Sequence, residues 1–199
     1  MRHVRELVET ILLALLIFLA VRTVVQNYRV EGASMEPALH NGEYLLVNKI
    51  VYARVNLEPL DRLLPFLDLG DRSTRHLFRA PHRGDIIVFL YPNDPRRTFI
   101  KRIIGVPGDM VEIRDGTVHI NGEPLAEPYG HGRDSSSSPR TTIPPGNYYV
   151  LGDNRPSSSD SRQGWLVPEK NIIGLAWFSY WPPGEAGMAP NFDVAAAEP

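Results

Sequence analysis

Apolar residues fill positions 7–25 almost without interruption, whereas the rest of the chain breaks into short apolar runs separated by Gly, Pro, Asn and Asp. At 1.5 Å rise per residue a helix over 7–25 would be roughly 28 Å long, about the thickness of a bilayer's hydrocarbon core. The pattern predicts one transmembrane helix, with Glu9 and Arg22 near enough to its ends for their charges to reach the headgroups. A cleavable export signal is the competing reading, because Met1-Arg2-His3-Val4-Arg5 is a charged segment ahead of an apolar one. Against it, the apolar run outlasts a signal h-region, and Leu19-Ala20-Val21 leads into Arg22 without a clean small-x-small site. Arg2 and Arg5 before the span are matched by Arg22 and Arg29 after it, so charge alone leaves the orientation open.

Beyond the span the pattern is that of strands. Residues 43–47, 85–90 and 98–104 are apolar runs of strand length that belong in a sheet core. Val106-Pro107-Gly108-Asp109 places proline ahead of glycine, the order of a type II turn, and ends the third of them. Residues 110–114 and 117–120 alternate apolar with polar and are joined by Asp115-Gly116, a strong two-residue hairpin motif. Asn121-Gly122 marks another turn; 147–151 and the aromatic segment 174–181 complete the strands. The expected fold is mainly β: an antiparallel sheet domain behind a single N-terminal transmembrane helix.

Two insertions interrupt this pattern. Residues 54–83 carry Leu57, Leu60, Leu63, Leu64, Phe66, Leu67 and Leu69 among charges and prolines, apolar surface that can pack on the sheet or dip into lipid headgroups. Residues 129–140, with Ser135 to Ser138, are expected to form a mobile surface loop. The expected organisation is an anchor at 1–27, a β-rich body at 28–181 and a loose tail at 182–199, whose Gly, Pro and Ala supply little apolar surface. Trp165, Trp177, Tyr180 and Trp181 suit either core packing or the bilayer interface.

Composition narrows the chemistry. The 199 residues allow one domain of useful core size after the anchor, and a net charge of −2 argues against nucleic acid as a partner. With no cysteine there is no thiolate nucleophile, disulfide or thiolate metal site. A serine nucleophile needs a base, since an alkyl hydroxyl attacks poorly near neutral pH. The six histidines, His3, His40, His76, His82, His119 and His131, sit in no recognisable triad context, and Ser34 is not in a nucleophile elbow because Glu36 replaces the second glycine. Lys101 is the better base. On a strand it shares a face with Phe99 and Ile103, so apolar neighbours can desolvate the amine and lower its pKa. Alone, a lysine in this setting reads better as an edge-strand charge that prevents aggregation.

Three separated segments carry a resemblance. Gly32-Ala33-Ser34-Met35-Glu36-Pro37-Ala38-Leu39, Lys101-Arg102-Ile103-Ile104-Gly105-Val106-Pro107-Gly108-Asp109 and Gly152-Asp153-Asn154-Arg155-Pro156-Ser157-Ser158-Ser159-Asp160-Ser161-Arg162 together resemble the bacterial type I signal peptidases. The resemblance covers most of the chain from the anchor to Trp181 and is weakest in the insertions. It implies a membrane-bound serine endopeptidase that cuts signal peptides from exported preproteins after small-x-small sites, through a Ser34–Lys101 dyad and an acyl-enzyme.

The same resemblance implies Ser158 as the hydroxyl orienting Lys101, with Asp153, Asp160 and Arg162 shaping the site; Asp160 with Arg162 reads as an ion pair or loop brace. It implies an oxyanion hole built from the Ser34 N–H. The position two residues earlier, where the family often supplies a second hydroxyl, is Gly32 here. Val30, Met35, Phe99 and Ile100 are the implied substrate pockets, and each reads equally as core. Neither metal nor cofactor is implied; signal peptides and the lipid bilayer are the implied partners. The implied location is the cytoplasmic membrane, single-pass, with the catalytic domain on the extracytoplasmic side. Two rivals stand beside this: a self-cleaving repressor-like Ser/Lys protease, and an anchored β-domain that only binds extracytoplasmic peptides.

Overall fold

The computed structural model describes residues 2–56, 74–129 and 134–192. Its first element is the helix α1 (Arg2–Val24), whose apolar side chains are exposed along its length. Over His3–Val24 it is long and apolar enough to cross a membrane. Outward-facing leucines and isoleucines on such a helix are stable in lipid and costly in water, which fits membrane anchoring.

The strands then follow as β1 (Val25–Arg29), β2 (Tyr44–Asn48), β3 (Arg54–Asn56), β4 (Thr74–His76), β5 (Ile86–Leu90), β6 (Thr98–Gly105) and β7 (Met110–Arg114). After these come β8 (Thr117–Ile120), β9 (Glu123–Pro124), β10 (Ser138–Thr142), β11 (Asn147–Leu151), β12 (Val167–Pro168), β13 (Ile172–Trp181) and β14 (Gly187–Met188). Among the described residues one sheet runs β1-β2-β13-β5-β6-β11-β12, with β14 added along β13, and a smaller one runs β10-β7-β8-β9. The ladders are antiparallel.

Local sequence explains these elements. The unbroken apolar run of β5 lies at the centre of the large sheet and is buried on both faces, as continuous rather than alternating hydrophobicity requires. In β7 and β8 alternation puts Val111, Ile113, Val118 and Ile120 inward, and these pack with Ile104, Tyr149 and Leu151 to join the two sheets. Asp115 and Gly116 both have positive φ, 47° and 76°, the backbone of the tight turn that their sequence predicts. The Val106–Asp109 turn is closed by the Asp109 N–H donating to the Val106 carbonyl at 3.0 Å. On another face Tyr52, Ile87, Phe89, Ile103, Val150 and Trp165 form a second cluster, and Val30, Met35, Leu39, Leu45, Ile86 and Ala176 a third.

The expected loose tail is corrected as far as Phe192. β14 pairs with β13, Ala189 is buried, and Asn191 ties two strands together: its side-chain oxygen accepts from the Ile86 N–H at 2.7 Å, and its amide donates to the Ala176 carbonyl at 2.8 Å. Few apolar atoms are needed when backbone groups just beyond the end of the β13–β5 ladder find such partners. The expected loop at 129–140 is corrected in part as well. Tyr129 is core, and residues 138–142 pair with β7. In the other insertion β3 and β4 pair antiparallel, while Leu57, Leu60, Leu63, Leu64, Phe66, Leu67 and Leu69 lie outside the described residues.

Candidate active site

Ser34 sits in the turn-rich connection between β1 and β2, with Met35 and Leu39 driven into the core beneath it. Lys101 lies in β6, paired with Ile87 of β5, and only 5% of its surface is exposed. Across the intervening sequence Lys101 Nζ comes within 2.7 Å of Ser34 Oγ. Its second hydrogen bond goes to the Ile100 carbonyl, also at 2.7 Å. Burial pushes the amine down from its ordinary value near 10.5 to about 8, against the charges of Asp160 and Asp153, which favour the ammonium. Desolvation outweighs the two carboxylates because each of these is spent on an arginine.

Asp153 is wholly buried and holds Arg102 through two bonds, Nε to Oδ1 at 2.9 Å and Nη2 to Oδ2 at 2.6 Å. The remaining guanidinium nitrogen of Arg102 donates to the carbonyls of Gly84 and Pro190, and its plane lies over the Tyr129 ring at 4.1 Å. Asp160 likewise takes both Nε and Nη2 of Arg162, at 2.7 and 2.9 Å, and accepts from the Gly152 N–H at 3.2 Å. Arg162 reaches on to the Arg155 carbonyl and to Asp134, and Arg155 to Glu127. The expectation of Asp160 and Arg162 as a loop brace thus has its geometry.

This braced loop is fastened to the serine segment. The Asn154 N–H donates to the Ser34 carbonyl at 3.1 Å. Gly152 packs so closely that a Cβ there would lie 2.5 Å from the Ser34 carbonyl oxygen and 2.3 Å from Ser158 Oγ. Ser158 differs from expectation. Its hydroxyl is buried against Gly152 and makes no hydrogen bond, and the Ile100 carbonyl, supplied by the lysine's own strand, holds the amine instead. Residue 32, the position of the family's second hydroxyl, offers no donor of its own to an oxyanion. Gly32 has φ of +84°, where a side chain is strained, and its N–H is committed to Asn41 Oδ1 at 2.9 Å. The Ser34 N–H donates to no acceptor among the described residues and stays available.

A cleft of about 650 Å³ opens beside the pair. Val30, Phe99 and Ile100 line it, as expected of substrate pockets; Met35 does not, being fully buried in the third core cluster. Leu45 and Val88 add to its apolar floor. Along β6 the β11 ladder stops with Leu151 opposite Arg102, so the edge at 98–101 faces the cleft with no partner strand among the described residues. Sequence reasoning missed Ile100 as an amine anchor, Gly152 as a close-approach point and Asn191 as a tie; only Gly152, a glycine directly after an apolar strand, carried a hint. The described histidines bond elsewhere: His3 beside Glu6, His40 beside Glu43, His76 beside Glu169, His82 beside Arg79 and His119 beside the Thr117 carbonyl.

Three comparisons bear on this arrangement. A family model described as signal peptidase, peptidase S26, matches residues 4–181. The chain is 33% identical over 222 residues to a signal peptidase I of Pseudomonas fluorescens, covering 89% of this chain and 73% of that protein. It is 34% identical over 187 residues to signal peptidase I T of Bacillus subtilis, covering 87% and 83%. A crystal structure of a signal peptidase I from Enterococcus faecalis aligns with 36% identity over 49% of this chain and 97% of that chain, with a TM-score of 0.42. With most of its length matched by one family model and by relatives of which it covers more than two thirds, the chain belongs to the signal peptidase, peptidase S26, family.

Proposed function

We propose that the protein is a membrane-anchored serine endopeptidase that removes signal peptides from exported preproteins, cutting after small-x-small sites with Ser34 as nucleophile and Lys101 as general base. The observation that carries this is the 2.7 Å contact between a buried, easily neutralised amine and a cleft-lining hydroxyl. Membership of the family, and relatives that are themselves signal peptidases I, support the substrate class.

With a pKa of about 8, roughly a tenth of Lys101 is neutral at pH 7. The neutral amine accepts the Ser34 hydroxyl proton as Oγ attacks the scissile carbonyl. The free Ser34 N–H faces the developing oxyanion. The ammonium then passes its proton to the departing amine, leaving a Ser34 ester, and the regenerated amine draws a proton from the water that hydrolyses it. Ser158, an unbonded hydroxyl beside the Ser34 carbonyl, is the group available to take up a bond from the ammonium during these steps. Asp153, Asp160 and Arg162 hold the loop that fixes Ser34. The open edge at 98–101 pairs with an extended peptide, and Val30, Phe99 and Ile100 set shallow apolar pockets for the small side chains.

In this reading α1 is the anchor, and the catalytic body runs from Val25, earlier than the expected boundary at 28 because 25–27 pair with β2, past 181 to Phe192. The body lies on the extracytoplasmic face of the cytoplasmic membrane, where a translocated precursor still held by its leader presents its cut site. Purified full-length protein in detergent, given a preprotein, should release the mature form, and Ser34→Ala should not. A protein that only binds peptides would leave the precursor whole in both cases.

A further inference from the structure

The cleft has a charged end that the dyad does not use. Arg97 lines it just ahead of β6, and its guanidinium lies over two rings, 5.0 Å from the Phe99 centroid and 5.6 Å from that of Tyr91. Tyr91 and Phe99 are themselves stacked at 4.7 Å, so the cation rests on a fixed aromatic shelf. It forms no salt bridge among the described residues. The nearest acid in sequence, Asp94, is held by Arg96 through bonds of 2.8 and 3.1 Å. Arg29, the other cleft arginine, is drawn away over Tyr44. Glu31, the acidic residue of the cleft lining, forms no salt bridge with Arg97 among the described residues.

Of the apolar residues that line the cleft, Phe99 and Ile100 lie between Lys101 and Arg97 along β6. The small residues of a leader precede the cut, so this stretch receives the leader. Arg97 is four residues before Lys101, which on an extended strand is roughly 13 Å. A peptide paired along 98–101 therefore brings its fourth or fifth residue before the cut to the guanidinium. We propose that Arg97 is a specificity determinant that favours an acidic side chain, and disfavours a basic one, four to five residues before the scissile bond. The inference rests on the proteolytic reading above.

Peptides that differ only at these two positions, carrying Asp, Asn or Lys, test it with full-length enzyme in detergent. Attraction for one charge and repulsion of the other at an exposed site should together favour Asp over Lys by about fivefold in kcat/KM at low salt. The ratio should shrink as salt is raised. Arg97→Gln should bring the ratio to near one, Arg97→Lys should retain most of it, and Arg97→Glu should reverse it. Because each ratio is taken within one variant, lost packing on Phe99 cancels. If the parent enzyme cleaves all three alike, or Arg97→Gln keeps the preference, the assignment of Arg97 is overturned while the protease stands. If no peptide is cut at all, both fall.

Discussion

Ser34 Oγ and Lys101 Nζ, 67 residues apart in the chain, lie 2.7 Å apart in the fold. Two constraints produce this. Lys101 is fixed by the β5–β6 ladder, and Ser34 is fixed by Met35 and Leu39 in the core below it and by the Asn154 N–H on its carbonyl. Neither side chain has to be ordered at the moment of reaction, and ordering of that kind is where positioned groups gain most over groups in solution.

The buried amine costs the fold stability. Above about pH 10.5 the folded and unfolded states both hold Lys101 neutral, and its titration costs nothing. Between pH 10.5 and about 8 the unfolded chain binds the proton and the folded one resists it; below about 8 both are protonated and the full cost is present, about 3 kcal/mol. Lys101→Met, of similar length and without charge, should therefore abolish turnover while raising stability near neutral pH by up to that amount. The gain should fade as pH rises from about 8 to 10.5, as followed by denaturant unfolding in detergent. Loss of stability at pH 7 would show that the amine is better solvated than its position implies.

Gly152 is the hinge point between the braced loop and the serine. Gly152→Ala would drive a methyl group into the Ser34 carbonyl and the Ser158 hydroxyl, at 2.5 and 2.3 Å. One of the contacted atoms is backbone, so the strain cannot be relieved by a rotamer change alone. Precursor cleavage should fall by more than about tenfold, and unfolding should become easier by about 1–3 kcal/mol. Wild-type cleavage by this variant would mean that Ser34 is not held from this side.

Much of the fold was legible because its elements announce themselves locally. The hairpin at Asp115-Gly116, the turn at 106–109 and the uninterrupted apolar run of β5 each follow from a few residues. The helix needed only its length and composition. The site was legible in part. Apolar neighbours on β6 marked Lys101 as a group that burial would neutralise, but a lone lysine carries no record of what it meets, and the resemblance to a family linked it to Ser34. Met35 was misplaced because a core methionine and a pocket methionine look alike in sequence. Ser158 was expected to hold the amine, yet the nearer Ile100 carbonyl does so, and main-chain acceptors leave no trace in a sequence. The tail 182–199 reads as loose because it is poor in apolar residues, whereas its part up to Phe192 is held by hydrogen bonds.

That segment yields its own test. Asn191 serves the Ile86 N–H in β5 and the Ala176 carbonyl in β13, two groups with little access to water. Asn191→Ala leaves both unpaired and should cost about 1–3 kcal/mol, whereas Asn191→Asp keeps the acceptor and should cost less. Thermal or denaturant unfolding of the two variants would check the order. Equal, negligible effects would mean that water satisfies these groups and that the segment is no part of the catalytic body.

The most direct measurement is kcat/KM against pH for one uncharged-cleft precursor, run in parallel on the parent enzyme and on Lys101→Ala. Cleavage by the parent should rise about tenfold per pH unit below 8 and level off above it, following the neutral amine, and Lys101→Ala should be lower by about 10³-fold or more throughout. A flat profile between pH 6 and 9, or cleavage by Lys101→Ala at a rate near the parent's, would contradict the dyad.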